Sequence, residues 1–434
     1  MVLWYIIRVR ILMKECVLTN IIVGLDIGTS FTRAVIGEAD DEGNVEIIGV
    51  AKKASTGLRK GIIVNIEATI ACIKETIEEA EQKAGYEVFS CVTGIGGTQV
   101  EGLNSRGLVA VSSRGKSNRE INHSDVDRVL EAANAVQIPI DRKMLHVIPQ
   151  DYIVDGVPGY KDPVHMIAVR LEAEVHIVTA SRTAIQNITQ CVERAGYQLD
   201  RVMLKTLAAT QVVVSEDERE LGSILIDVGG STTDILVILK DAPICTASIP
   251  LGGNAVTNDI SIVKSIATAT AEKIKIESGS CWMPFAMRRN DEVLIPGIAG
   301  RGPEQTDRVS LCEIIMPRME EIFTMVREVV SLRTGVAQLA GSIVLTGGGA
   351  QIEGAVELAE KVFGTSAVRL GIPGKWGGIE EEYRLPEYAT AVGLVVANKN
   401  LVQMKGKKDR RRREPDRDKD TGDSLWQRIK KSFF

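Results

Sequence analysis

The chain has 434 residues, 44% hydrophobic and 25% charged, a globular composition long enough for more than one domain. Aromatics reach only 4%, which argues against stacking platforms for single-stranded nucleic acid. The net charge of −5 is uneven: residues 405–431 carry twelve Lys/Arg against six Asp/Glu, leaving an acidic remainder of −11 that does not suit a phosphate backbone and an excess of positive charge only near the C-terminus.

Residues 1–20 read as an N-terminal extension. Arg8 and Arg10 interrupt the apolar runs Val2–Ile7 and Val9–Met13, so the stretch is too short and charged to span a bilayer. No small-residue cleavage site follows, so the stretch reads as an upstream extension or a mis-assigned start with Met13 the natural initiator. The apolar run 21–27, ending around Asp26, opens a meander with strands at Ala34–Ile36 and Glu46–Val50. Glu67–Lys83 has helical spacing and stops near Gly85; Val88–Val92 is a strand. Ser181 can N-cap a helix that ends at Gly196. Glu218–Glu220 read as a polar connector before strands at Ser223–Val228 and Asp234–Leu239. The strand Ile343–Leu345 runs into Gly347–Gly349, a helix is expected over Gln351–Phe363, and a final helix near Ala389–Ala397. From Gln403 to Asp423 the chain is charged and poor in hydrophobic residues, and should be disordered. The seven cysteines hold no CxxC pair and the four histidines no HExxH motif, which disfavours a zinc site or a disulfide framework and fits a reducing cytoplasm.

An internal repeat organises the chain. Residues 23–36 read VGLDIGTSFTRAVI and residues 224–237 read ILIDVGGSTTDILV, with Asp, Gly, Ser and Thr at equal offsets, which suggests two similar α/β domains. In each copy the chemistry explains the spacing. Gly28, and Gly229 with Gly230, let the backbone approach a phosphate, and successive N–H groups form an anion-binding nest. Thr29, Ser30, Ser231 and Thr232 can donate hydroxyl hydrogen bonds to phosphate oxygens. Asp26 and Asp227 end their strands and would hold Mg²⁺ between them, mostly through water. A third element, Thr346 followed by Gly347, Gly348 and Gly349, lets a flat base and ribose lie against the backbone.

These three motifs, LDIGTSFTR, IDVGGSTTD and LTGGGAQIEG, resemble those of the actin/Hsp70/sugar-kinase superfamily. The resemblance implies ATP as ligand, Arg33 as a basic residue reaching the phosphates, and Glu272 and Lys275 flanking the adenosine. No sugar-binding motif is evident, and the chain ends too soon after Ala389–Ala397 for a peptide-binding sandwich.

Four further stretches resemble the bacterial FtsA family: DRKMLHVIPQDYIVDG (141–156), DPVHMIAVRLEAEVHIVTA (162–180), EDERELGSILIDVGGSTTDI (216–235) and GGNAVTNDI (252–260). The implied architecture is an actin-like α/β fold of two RNase H-like domains around a nucleotide cleft. Subdomain 1A would take 21–104, 178–200 and the last helix 386–400; 1C, 105–177; 2A, 201–257 and 321–385; 2B, 258–320. His165 and Ala168 stand where the family often carries Gly, and His165 reads as a surface or packing residue rather than a ligand. In polymerising relatives an acidic or amide residue positions the attacking water; Lys205 or Thr206 holds that place here, and neither is a good base. ATP binding with slow or no hydrolysis is therefore expected.

At the C-terminus, residues 424–434 form a short amphipathic pattern beyond the linker 403–423. Leu425, Trp426, Ile429, Phe433 and Phe434 supply apolar weight, while Arg428, Lys430 and Lys431 suit anionic lipid. One short helix binds weakly, and polymerising the bodies would multiply it. The FtsA resemblance implies self-assembled filaments on the cytoplasmic face of the inner membrane that capture the C-terminal tail of FtsZ and recruit later division proteins through subdomain 1C. Arg301, Arg308 and Arg318 are candidates for pairing that acidic tail. The competing expectations are a small-molecule kinase of the same superfamily and a PilM-like pilus-assembly protein.

Overall fold

The computed structural model describes residues 21–40, 42–111, 118–295, 304–335 and 341–399. Strand Ile21–Ile27 is buried on both faces after its first residue, which requires layers above and below it. It pairs antiparallel with Phe31–Ala39, which pairs with Val45–Ala54, and runs parallel to Ser90–Ile95, which neighbours Gln198–Leu204. The second half repeats this order. Ser223–Val228 pairs antiparallel with Thr233–Leu239 and then Ala242–Ile249, and parallel with Ile343–Thr346 and then Val368–Leu370. The register repeats as well: Asp26 lies opposite Arg33, and Asp227 opposite Asp234.

Helices Lys205–Val213 and Ala389–Ala397 pack on each other in the core that joins the two sheets, and nearly every residue of both is buried. Helix Ile66–Ala84 covers the outer face of the first sheet; Asn65 caps it, and Gly85, left-handed at φ 72°, ends it. Helix Arg308–Thr334 covers the second sheet with Leu311, Ile315, Met319, Ile322, Phe323 and Val326. A separate four-stranded sheet, in the order Val157–Tyr160, Arg142–Val154, Arg170–Ser181, Val100–Ala110, lies between the strand Ser90–Ile95 and the helix Arg182–Arg194 in sequence. Helix His123–Asn134 seals one face of it with Val126, Val129, Leu130 and Ala133, its start fixed by an Asn122/Asp125 capping box.

Three local expectations shift. Glu218–Glu220 is not a connector but part of helix Glu216–Leu221, because Ser215 and Glu218 form a capping box. The helix expected over Gln351–Phe363 starts at Ala355, since Gly354 sits at φ 85° and a 3₁₀ turn occupies Gly348–Gln351. The strand expected over Val88–Val92 runs Ser90–Ile95. His165 adopts φ 71° with a largely exposed side chain, so its turn keeps the left-handed backbone that Gly would supply, while Ala168 is buried. Among the described residues no helix is long and apolar enough to cross a membrane.

Candidate functional site

A cleft of about 790 Å³ lies between the two repeated sheets. Both Asp-Gly hairpins line it, because each meander turns at that edge of its sheet. The hairpins close alike: Gly28 N donates to Phe31 O at 3.1 Å, and Gly229 N to Thr232 O at 2.9 Å. They approach so closely that a Cβ on Gly230 would lie 2.2 Å from Ser30 Oγ. Asn254 spans the gap, accepting from Ser30 Oγ at 3.1 Å and donating to Ser231 Oγ at 3.3 Å. Thr29 Oγ1 accepts from Gly61 N at 3.0 Å, and a Cβ on Gly61 would lie 3.9 Å from Thr232 Cγ2, so the hairpin around Gly61 lies against both loops.

The base of the cleft is acidic. Asp26, Asp227 and Asp234 all line it, and Lys205 is the ammonium among them, 2.7 Å from Asp26 Oδ1. Burial, with Asp234 and then Asp26 nearby, pushes the Asp227 carboxyl up to about 7; Lys205 offsets only part of this. Burial likewise raises Asp234, although the Gly97 N–H donates to both its oxygens. A site so short of positive charge suits a divalent cation. Among the described residues no three acidic, His or Cys side chains form a direct metal cage.

Arg33 lines the cleft, but its guanidinium is engaged. It bonds Glu387, lies 4.0 Å from Asp26, and stacks on Phe31 and Tyr388 at 5.5 and 5.6 Å. Lys52 joins the same carboxylate at 2.6 Å. Burial alone would raise Glu387, yet Arg33 and Lys52 outweigh it and hold it ionised below its ordinary range.

At the other end, Gly347 takes φ 84° and ψ 167°, and a Cβ there would lie 2.2 Å from Asp227 Oδ1. The loop is anchored by Thr346 Oγ1, which sits 3.0 Å from both Gly371 O and Pro386 O. Gly348 and Gly349 complete the wall, and Glu272 and Lys275 line the same cleft. Lys275 is buried and donates to Thr257 Oγ1 at 2.9 Å and Gly253 O at 3.2 Å, while ion-pairing with Glu272 at 2.7 Å.

Of the residues singled out in the sequence, Asp26, Gly28, Thr29, Ser30, Arg33, Asp227, Gly229, Gly230, Thr232, Glu272, Lys275 and Gly347–Gly349 share this one cleft, with Ser231 tied to it through Asn254. Arg308 belongs here too, which corrects its reading as a docking residue. It is buried, lines the cleft and bonds Glu353, so it faces the cleft rather than an outer docking surface. Arg318 is half-buried and bonded to Asp259 and Glu321. Arg301, and the tail residues Leu425, Trp426, Arg428, Ile429, Lys430, Lys431, Phe433 and Phe434, lie outside the described residues, as do the extension 1–20 and the linker 403–423. Sequence reasoning passed over Asn254, Asp234, Lys52, Glu387 and Thr390, the last a cleft-lining residue whose Oγ1 donates to Asp227 Oδ2 at 3.4 Å. Only Asp234 carried a signal, as the repeat partner of Arg33. Thr206, the alternative to Lys205, is buried in the joining core and is not among the cleft-lining residues.

Comparison with known proteins agrees with this construction. A family model described as "Cell division protein FtsA" matches residues 224–393, and one described as "SHS2 domain inserted in FTSA" matches 97–179. The cell division protein FtsA of Borreliella burgdorferi is 43% identical over 87% of this chain and 90% of its own length. The chain belongs to the FtsA family. FtsA of Pseudomonas aeruginosa is 43% identical over 87% of this chain and 89% of its own, and FtsA of Escherichia coli 37% over 87% and 90%. Among solved structures, the PilM-PilN type IV pilus biogenesis complex superposes with a TM-score of 0.61 at 17% identity, covering 86% of this chain and 97% of that one. MreB5 of Spiroplasma citri bound to ADP superposes at 0.50 and 14%, covering 91% and 99%. At such identities these show fold alone, and the fold is the actin-like α/β fold. Membership of the FtsA family assigns the chain to cell division.

Proposed function

We propose that the cleft binds ATP and that the chain is a membrane-tethering actin-like protein of cell division. The observation that carries the nucleotide reading is the pair of Asp-Gly hairpins facing each other across one cleft, with the Gly347–Gly349 loop at its far end. Phosphates would lie between the hairpins, and adenosine against Gly347–Gly349 beside Glu272 and Lys275. Asp26 and Asp227 would hold Mg²⁺ through water, and the ion would neutralise triphosphate charge. Lys205 takes the place of a general base with an ammonium already bound to Asp26, which supports tight binding with slow hydrolysis.

The wider reading rests on family membership and the tail sequence. Filaments form on the cytoplasmic face of the inner membrane, residues 424–434 lie in the headgroup region, and many weak anchors sum to firm attachment. Residues 105–177, as subdomain 1C, recruit later division proteins, and residues 258–320, as subdomain 2B, take the FtsZ tail, with Arg301 and Arg318 as its candidate partners. Co-sedimentation with anionic liposomes tests this, with and without ATP, for the full chain and one ending at Asp423. The full chain pellets, more so with ATP, and the truncation stays soluble. If both stay soluble, the anchor reading fails and a soluble ATP binder remains.

A further inference from the structure

Lys205 is oddly placed for a lysine. It is the first residue of helix Lys205–Val213, whose start has no side-chain cap. A cation there opposes the helix dipole, so another interaction must hold it. Its stem is given room by two glycines of the neighbouring strand and loop. A Cβ on Gly94 would lie 2.7 Å from Lys205 Cγ, and one on Gly96 would lie 3.3 Å from Lys205 Cδ. The stem thus passes strand Ser90–Ile95 to reach the first hairpin of the same sheet, where Nζ donates to Ile27 O at 2.8 Å and ion-pairs with Asp26 at 2.7 Å. It is only slightly exposed and also lies within electrostatic reach of Asp227 and Asp234. Of the other cleft cations, Arg33 and Lys52 pair with Glu387, Lys275 with Glu272 and Arg308 with Glu353, while Arg289 also lines the cleft; Lys205 is the one set among the three aspartates at its base.

We propose that Lys205 is a resident cation of the phosphate site. It neutralises part of the charge at Asp26 and at the terminal phosphates, so that this chain keeps part of its affinity for a nucleoside triphosphate when the divalent cation is removed. The inference rests on the nucleotide reading above and adds a specificity residue to it. An ammonium on a fixed stem carries its charge into the cleft before any ligand arrives, and its rotatable donors suit phosphate oxygens.

The test is equilibrium binding of ATP to the full chain by calorimetry, in excess Mg²⁺ and in excess EDTA. Wild type should lose less than about a hundredfold in affinity on removal of Mg²⁺. Lys205→Met should lose roughly ten- to hundredfold more in EDTA, the range of a charge-assisted hydrogen bond, and much less in Mg²⁺. Lys205→Arg, which keeps the charge, should follow wild type. If Lys205 only supports the fold, Lys205→Met weakens binding equally in both conditions, and that overturns the proposal. A wild-type loss well above a hundredfold in EDTA also overturns it, and is readable even where Lys205→Met does not fold. Failure of wild type to bind ATP in Mg²⁺ overturns the nucleotide reading itself, and the proposal with it.

Discussion

Replacing Gly347 by alanine should unsettle the cleft without any ligand present. Gly347 sits at φ 84° and ψ 167°, a region that is essentially reserved for glycine and costs other residues about 1–3 kcal/mol. The added Cβ would meet Asp227 Oδ1 at 2.2 Å and Val228 O at 2.6 Å, one of them backbone of the central strand. Relieving that overlap costs about 1–3 kcal/mol more. The sum is about 2–6 kcal/mol, and at about 1 °C per kcal/mol for a chain of this length the melting of the ligand-free protein should fall by about 2–6 °C. Gly348 is the control. A Cβ there finds nothing closer than Glu387 Cβ at 4.0 Å, and its φ is not left-handed. Gly348→Ala should therefore melt within about 1 °C of wild type, the effect of a change below about 0.5 kcal/mol. If adenosine lies on this wall, the same methyl should weaken ATP binding. Differential scanning calorimetry without ligand, followed by ATP titration, separates the two effects. Equal melting of Gly347→Ala and wild type would refute the steric reasoning.

Other consequences are equally direct. Burial raises the Glu218 carboxyl, but Arg369, Ser342 and the Ser215 N–H reverse this and hold it at about 2. Its stabilisation is therefore present above the unfolded value near 4.5 and lost as pH falls toward 2; allowing for partial exposure of Arg369, it is worth about 2 kcal/mol, and Glu218→Gln should flatten the urea midpoint across that window. His176 joins the separate sheet to strand Ala242–Ile249, with Nδ1 2.6 Å from Asn104 Oδ1 and Nε2 2.8 Å from Thr246 Oγ1. Burial lowers its pKa to about 4, so it stays neutral at physiological pH, and its contribution is full above about 6.5 and fades as pH falls through 4. His176→Ala should cost about 2–3 kcal/mol and speed proteolysis between the two units, whereas wild-type cleavage rates should match at pH 7 and 8.

Much of the site is legible in the residues alone. The repeat at Asp26 and Asp227 predicts two related sheets, and their strand orders and registers repeat as expected. Spaced glycines and hydroxyls are readable because a tight turn near an anion restricts residue type over a few consecutive positions. Glu387 is not readable: it lies just before the last helix with no motif to mark it, yet it neutralises Arg33 at the opposite end of the chain. The roles of Asn254 and Lys205 are hidden for the same reason, since their partners are 224 and 178 residues away. Glu218 reads as a connector only if its capping-box spacing with Ser215, visible in the sequence, is overlooked.

By itself, then, the sequence determined the two-sheet plan, the three loops and the family, because these depend on local backbone demands and on runs of buried strand residues. Only the tertiary structure decided which charges meet in the cleft. Charge pairing acts through space between strands and helices brought together by packing, and a lone Lys or Glu reads the same whether it faces solvent or a buried carboxylate. Arg308 is the plainest case: on a helical pattern it looks like a surface arginine, and the fold turns it inward onto Glu353.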